Sequence, residues 1–288
     1  MSQRVTGHTE LLGLLAMPSR HSNSPLMHNS AFEKLGLDMV YVCFEVGLNE
    51  IQDAVKAIRT LKLVGCNVSM PNKKAVCRYL DRLSPAAELI GACNTIVNKN
   101  GMLEGHNTDG IGFISMLKDN GIELKGKRFT LAGCGGAGTA ISIQAALEGA
   151  EEISIFNIHD EFWQNAELTV KKINENTSCK ATLHSLEDKD DLKEEIKKGF
   201  MFVNSTGVGM KPMEGMTYIP SADFFPKDVF VADIIYSPTK TRTLELAEEA
   251  GCRFINGTSM MLFQGAAAFK LWTGKDMPVG YIKDVLGL

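Results

Sequence analysis

The chain has 288 residues, 44% hydrophobic and 22% charged, with a net charge of −4 at pH 7. That length suits two domains, and that composition suits a globular chain with a sizeable core. The mild acidity gives no electrostatic case for nucleic acid or an anionic membrane as partner, and no apolar run approaches the ~18 residues of a membrane span.

The opening stretch, MSQRVTGHTELLGLLAMPSRHS, holds no signal-peptide core, and a cytoplasmic protein is expected. The cysteines, at 43, 66, 77, 93, 134, 179 and 252, are odd in number and form no C-x-x-C. Neither a disulfide framework nor a metal site is expected from them.

Leu11 to Ala16 reads as a central strand. Ser24-Pro25 reads as a helix start, Ser24 as N-cap and Pro25 at the first helical position, and Gly36 ends that helix. The loop before it places the hydroxyls of Ser22 and Ser24 together, as cap and solvated side chain or as ligands. Val40 to Val46 is a second strand, Asn49 to Lys62 an amphipathic helix, and Leu63 to Val68 a third strand. Strand–helix alternation of this kind predicts an α/β domain with a mostly parallel sheet. Beyond the third strand, Asn67, Ser69 and Lys73 fall at its carboxyl end, where open α/β sheets bind ligands, and a helix is expected over Lys73 to Leu80. Lys73 is either a solvated charge or the group that exchanges a proton.

Ser84-Pro85 caps another helix, running to Ile90. A hairpin follows, from the stretch Gly91 to Asn98, which turns into a strand, and from Met102 to His106 around Lys99-Asn100-Gly101. Asp109 stands just before a helix at Ile111 to Lys118, as an N-cap or as an anion that orients Lys73.

The strand Phe129 to Ala132 runs into Gly133-Cys134-Gly135-Gly136-Ala137-Gly138 and then a helix from Thr139 to Leu147. Strand, glycine turn and helix make either a glycine-rich turn of any α/β protein or, as favoured here, a dinucleotide fingerprint. Backbone N–H groups approach the pyrophosphate and the helix N-terminus supplies partial positive charge. After a second strand, Glu152 to Asn157, come Ile158, His159 and Asp160. A carboxylate at this place suits the ribose hydroxyls of NAD and repels the 2′-phosphate of NADP, so NAD is favoured over NADP. Asp160 is also a candidate cap for a helix at Glu161 to Ile173. A weak strand at Lys180 to Leu183, a helix at Asp188 to Lys197 and a strand at Phe200 to Asn204 follow. The rest reads as a long loop to Phe225, a strand at Val229 to Ile235, a helix at Thr241 to Ala250, a last strand at Cys252 to Ile255, and helices at Gly257 to Trp272 and Pro278 to Leu286.

Seven motifs in one register resemble the shikimate dehydrogenase family, most closely its quinate/shikimate branch. They are HSNSP at 21–25, NVSMPNK at 67–73, GACNT at 91–95, HNTDG at 106–110, GCGGAG at 133–138, STGVGM at 205–210 and QGAAAFKLWTG at 264–274. The resemblance implies a two-domain α/β chain. Residues 1–110 and 262–288 would form the substrate domain and 111–261 a Rossmann-type NAD(P) domain, with the C-terminal helices returning to the first. It implies reversible oxidation of the ring C3 hydroxyl of shikimate, or of quinate, with hydride passing to the nicotinamide. It assigns Lys73 and Asp109 to catalysis, Ser22, Ser24 and Tyr236 to the substrate carboxylate, and Ser69, Asn94 and Gln264 to its hydroxyls. Besides the glycine loop and Asp160, it assigns Asn157, Thr206, Val208, Gly209, Ile234 and Gly257 to the cofactor. Gly110 and the Gly257 region are plausible hinges, and a homodimer is within the family's range. A dehydrogenase of another cyclic polyol such as aminoshikimate, or a nucleotide-binding regulatory protein of the same fold, are the competing readings.

Overall fold

A computed structural model describes residues 5–288. The described residues divide into two units, one of residues 5–112 with 262–288 and one of residues 113–261.

The first unit opens with β1 (Glu10–Ala16), α1 (Ser24–Lys34), β2 (Met39–Glu45), α2 (Ile51–Thr60) and β3 (Gly65–Val68). A single 3-10 turn at Ala75–Tyr79 leads to β4 (Arg82–Leu83), α3 (Pro85–Ile90), β5 (Thr95–Lys99) and β6 (Met102–His106), and α4 (Asp109–Asp119) starts in this unit and continues into the second. The sheet order is β2-β1-β3-β5-β6-β4. β1 runs parallel to β2 and β3, whereas β5 is antiparallel to both β3 and β6. The apolar β1 is buried over Leu12 to Ala16, as a central parallel strand covered on two faces must be. α2 turns Ile51, Val55 and Ile58 inward from an otherwise polar sequence, the stripe expected of a surface helix.

The second unit holds β7 (Arg128–Ala132), α5 (Gly136–Leu147), β8 (Glu152–Asn157), α6 (Trp163–Asn176), β9 (Lys180–Ser185) and α7 (Lys189–Lys198). It continues with β10 (Met201–Asn204), β11 (Phe230–Asp233), α8 (Arg242–Glu249) and β12 (Phe254–Ile255). Its sheet is parallel throughout, in the order β12-β11-β10-β7-β8-β9. The strand order reverses between β7 and β10, the doubly wound arrangement that opens a crevice beyond the carboxyl ends of those strands. α5 is buried continuously from Gly138 to Ala146, which its run of Ala and Ile permits.

α9 (Thr258–Thr273) begins in the second unit and ends in the first, and α10 (Val279–Leu286) follows it. Leu262, Ala268, Phe269 and Trp272 of α9 and Ile282 of α10 join the core of the first unit around Leu12, Met27 and Phe32. Among the described residues no helix is long and apolar enough to cross a membrane.

Several elements differ from the sequence expectations. The helix expected over Lys73 to Leu80 is only the 3-10 turn. Its bonds close at i to i+3, as Leu80 N donates to Cys77 O, and the chain then extends into β4. Ser24 is the first residue of α1 rather than its cap. Asn23 holds the cap position without a side-chain bond, and the Ser22 hydroxyl accepts from Ser24 N. α6 starts at Trp163 with Phe162 as its cap residue, so Asp160 closes a turn ahead of the helix by accepting from Phe162 N. α5 starts three residues earlier than Thr139, within the glycines, because Gly136 already has helical geometry.

Candidate active site

Lys73 and Asp109 meet at the carboxyl end of β3. The loop after β3 is tied down by Asn72, whose backbone N donates to Ser69 O and whose side chain donates to Val46 O at 2.7 Å. The carbonyl of Lys73 accepts from Cys93 N at 2.8 Å, which fixes the lysine backbone against the entry to β5. On the other side, Asn107 donates to Ala92 O and accepts from Asp109 N, so α4 starts at a fixed place after β6. Between these anchors Lys73 Nζ donates to Asp109 Oδ2 at 2.6 Å, with side chains 32% and 15% exposed. A charge pair that is sheltered yet reachable can hold and pass a proton.

Asn94 supports the pair from behind. Its amide donates to Asp109 Oδ1 at 2.8 Å and to Thr108 Oγ1 at 2.9 Å, with a longer contact of 3.5 Å to Gln264 Oε1. Its carbonyl accepts from Thr108 N and from the Thr95 hydroxyl. Asn94 is therefore held on all sides by protein. Only the long contact to Gln264 is weak enough to give way to a ligand. Thr108, fully buried, is a member of this cluster that sequence reasoning passed over; its place beside Asp109 in HNTDG was the available signal.

Other expected substrate residues in this unit are Ser22 and Ser24 at the start of α1, and Ser69 after β3, each half-buried. Gln264 comes from α9 and reaches the Asn94 amide. Tyr236 belongs to the second unit, follows β11 and is exposed.

In the second unit the glycine turn joins β7 to α5. A Cβ on Gly138 would lie 2.0 Å from the Gly133 carbonyl oxygen, so glycine is required there for the turn to close. At Gly135 and Gly136 a Cβ would meet nothing within 4 Å, which leaves open space above the first turn of α5. Gly135 is the N-cap and supplies no side-chain bond to the helix. Uncapped N–H groups facing open space fit a pyrophosphate. The cradle is braced by Asn157 at the end of β8, which accepts from Cys134 N at 3.0 Å and donates to Asp160 Oδ1 at 3.2 Å. Asn165 of α6 adds bonds to Cys134 O and Thr139 Oγ1.

The loop after β10 lies beside this cradle. Asn204 accepts from Thr206 N and Oγ1, and Thr206 Oγ1 accepts from Val208 N. Gly209 has φ 113°, a left-handed value that suits glycine. Asp233 at the end of β11 accepts from Asn204 Nδ2, Thr241 Oγ1 and Ile235 N. Burial raises the Asp233 pKa, against the pull of those bonds. Gly257 packs on Ile234, where a Cβ would lie 1.8 Å from the carbonyl oxygen. The expected cofactor residues thus gather at the carboxyl ends of β7, β8, β10 and β11.

Comparison with known proteins bears on both units. Residues 14–96 match the shikimate dehydrogenase substrate binding domain, and residues 257–286 match the shikimate 5'-dehydrogenase C-terminal domain. The chain is 58% identical over 286 residues to "Shikimate dehydrogenase (NADP(+))" of Listeria monocytogenes serotype 4b, covering 99% of this chain and 98% of that one. Among solved structures it is similar to shikimate 5-dehydrogenase from Listeria monocytogenes in complex with shikimate and NAD, at TM-score 0.97 and 58% identity, with 99% of each chain covered. It is also similar to quinate dehydrogenase from Corynebacterium glutamicum in complex with NAD, at TM-score 0.86 and 27% identity, covering 97% of this chain and 99% of that one.

Proposed function

Because the chain belongs to the shikimate dehydrogenase family and interconverts shikimate and 3-dehydroshikimate with a nicotinamide cofactor, we propose that Lys73 and Asp109 are its catalytic pair and that NAD is its better cofactor. The contact that carries the first part is Lys73 Nζ to Asp109 Oδ2 at 2.6 Å.

Oxidation of a secondary alcohol removes a hydride from carbon and a proton from oxygen. The nicotinamide ring, when bound, supplies the hydride acceptor. The Lys73–Asp109 pair takes the hydroxyl proton, and in the reverse direction returns it to the oxygen of the reduced ketone. Ser69, Asn94 and Gln264 orient the ring hydroxyls, with Asn94 exchanging its long contact to Gln264 for a substrate oxygen. Ser22, Ser24 and Tyr236 hold the carboxylate.

NAD is favoured on the loop after β8, which reads Asn157-Ile158-His159-Asp160. It offers no arginine to a 2′-phosphate, and the exposed Asp160 carboxylate opposes one. Quinate is proposed as a second substrate, from the chain's likeness to the quinate/shikimate branch. Initial rates of NAD and NADP reduction with shikimate and quinate test both points. Preference for NAD supports the role of Asp160. Strong preference for NADP with shikimate alone overturns it and leaves the NADP-dependent activity that the Listeria relative's name gives.

A further inference from the structure

A line of buried hydrogen bonds approaches Asp109 through the sheet of the first unit. It starts at Tyr41 on β2, whose Oη donates to Asn67 Oδ1 at 2.8 Å. Asn67 on β3 donates through Nδ2 to Thr95 Oγ1 at 3.1 Å. The Thr95 hydroxyl, on β5, donates to Asn94 Oδ1 at 2.9 Å, and Asn94 donates to Asp109 Oδ1 at 2.8 Å. Every donor in the line points towards the carboxylate.

We propose that this line orients and polarises Asp109 for the reaction, with Tyr41, Asn67 and Thr95 as positioning residues. The proposal rests on the assignment of Asp109 to the catalytic pair. No proton travels along the line. Each donated bond makes the next group a better donor, and the last one falls on the carboxylate oxygen that Lys73 does not hold.

The fold places the line deliberately. In the sheet, Tyr41 pairs with Leu12 and Asn67 with Leu14, so the two side chains share one face on either side of β1 and meet across it. β2 is the edge strand, yet its backbone at Tyr41 is not left open: Asn29 of α1 donates to Tyr41 O at 2.9 Å and accepts from Tyr41 N at 2.8 Å. The ring is held by a stack on His28, centroid to centroid 4.6 Å. Tyr41, Asn67, Thr95 and Asn94 are all buried, so water does not compete for their bonds. Burial also raises the Tyr41 phenol well above its ordinary value, and it stays a donor.

The test uses the full enzyme with shikimate and its nicotinamide cofactor, comparing Thr95→Val, Thr95→Ser, Tyr41→Phe and Asp109→Asn in steady-state rates and thermal melts. Loss of the two buried bonds of the Thr95 hydroxyl predicts a fall in kcat of about tenfold for Thr95→Val, and loss of one a fall of about threefold for Tyr41→Phe, with KM within about twofold of the parent. Thr95→Ser, which keeps the hydroxyl, restores kcat. Folded Thr95→Val and Tyr41→Phe enzymes with parental kcat overturn the proposal, as does loss in KM alone or failure of Thr95→Ser to rescue. Where Thr95→Val does not fold, Tyr41→Phe decides by its own kcat, since it removes only an oxygen. If Asp109→Asn keeps its kcat, the assignment of Asp109 fails first. If Asp109→Asn is inactive while the other variants match the parent, the line alone fails.

Discussion

Lys73 and Asn94 divide the Asp109 carboxylate between them: Lys73 Nζ holds Oδ2 at 2.6 Å and Asn94 Nδ2 holds Oδ1 at 2.8 Å. One oxygen faces a charge and the other a neutral amide fixed in the core. The carboxyl group cannot rotate without breaking both bonds, which would keep the proposed catalytic carboxylate in place before substrate arrives.

Replacing Lys73 with Ala is expected to lower kcat by about 10²–10⁴-fold or more, the usual cost of losing an acid–base group. The lysine side chain is 32% exposed, so the melting temperature should move little. A parental kcat in this variant removes Lys73 from the mechanism.

Asp160→Asn keeps the oxygen that accepts from Phe162 N and removes the charge. The ratio of kcat/KM for NADP to that for NAD should rise about tenfold, the scale of one like charge removed at short range near a protein surface. An unchanged ratio means that Asp160 does not select the cofactor.

Two glycines of one turn should fail in different ways. Gly138→Ala puts a methyl against the Gly133 carbonyl and should cost about 1–3 kcal/mol or more, seen as a lower melting temperature. Gly135→Ala meets nothing in the protein. It should melt like the parent but raise KM for the dinucleotide about tenfold or more, as a methyl blocks bonds to a charged phosphate. Equal behaviour of the two variants would refute the cradle.

His28 sets a pH dependence of stability. Burial lowers its pKa to about 3, with Asn67 pulling the other way. In the unfolded chain the ring takes a proton below its ordinary value of 6.5, and in the folded chain it does not. The folded state is therefore at full strength above that pH and loses about 1.4 kcal/mol for each pH unit below it, until about pH 3. Denaturant melts at pH 7 and pH 5 should show a loss of about 2 kcal/mol that His28→Phe abolishes. A slope that survives the substitution assigns it to other groups.

The alternation of strands and helices was legible because each carries a strong local signal: apolar runs for the buried strands, three- and four-residue spacing for α2, glycine and proline at the breaks. β4 was not, since two residues become a strand only by pairing with β6. The capping at Ser24 and Asp160 was misread because an Asx or Ser turn and a helix cap use the same residue types. The grouping of Lys73 with Asp109, 36 positions apart, came from the chemistry of a base and an orienting anion and from the resemblance of the two motifs that carry them. The line through Tyr41, Asn67 and Thr95 had no such trace: its partners are 26 to 28 positions apart and meet only through strand order and register.

The passage of α9 from one unit into the other has a consequence for how the chain is made. Trp272 donates to Ile96 O at 2.9 Å and packs with Phe269 and Leu262 into the core that β1 and α1 begin. A ribosome finishes residue 112 long before it reaches residue 262. At about 5–20 residues per second the opening unit waits roughly ten to thirty seconds for its closing helix. During that interval the second unit, whose sheet uses only contiguous chain, can complete itself on the ribosome. The part born first is thus the part that must finish last.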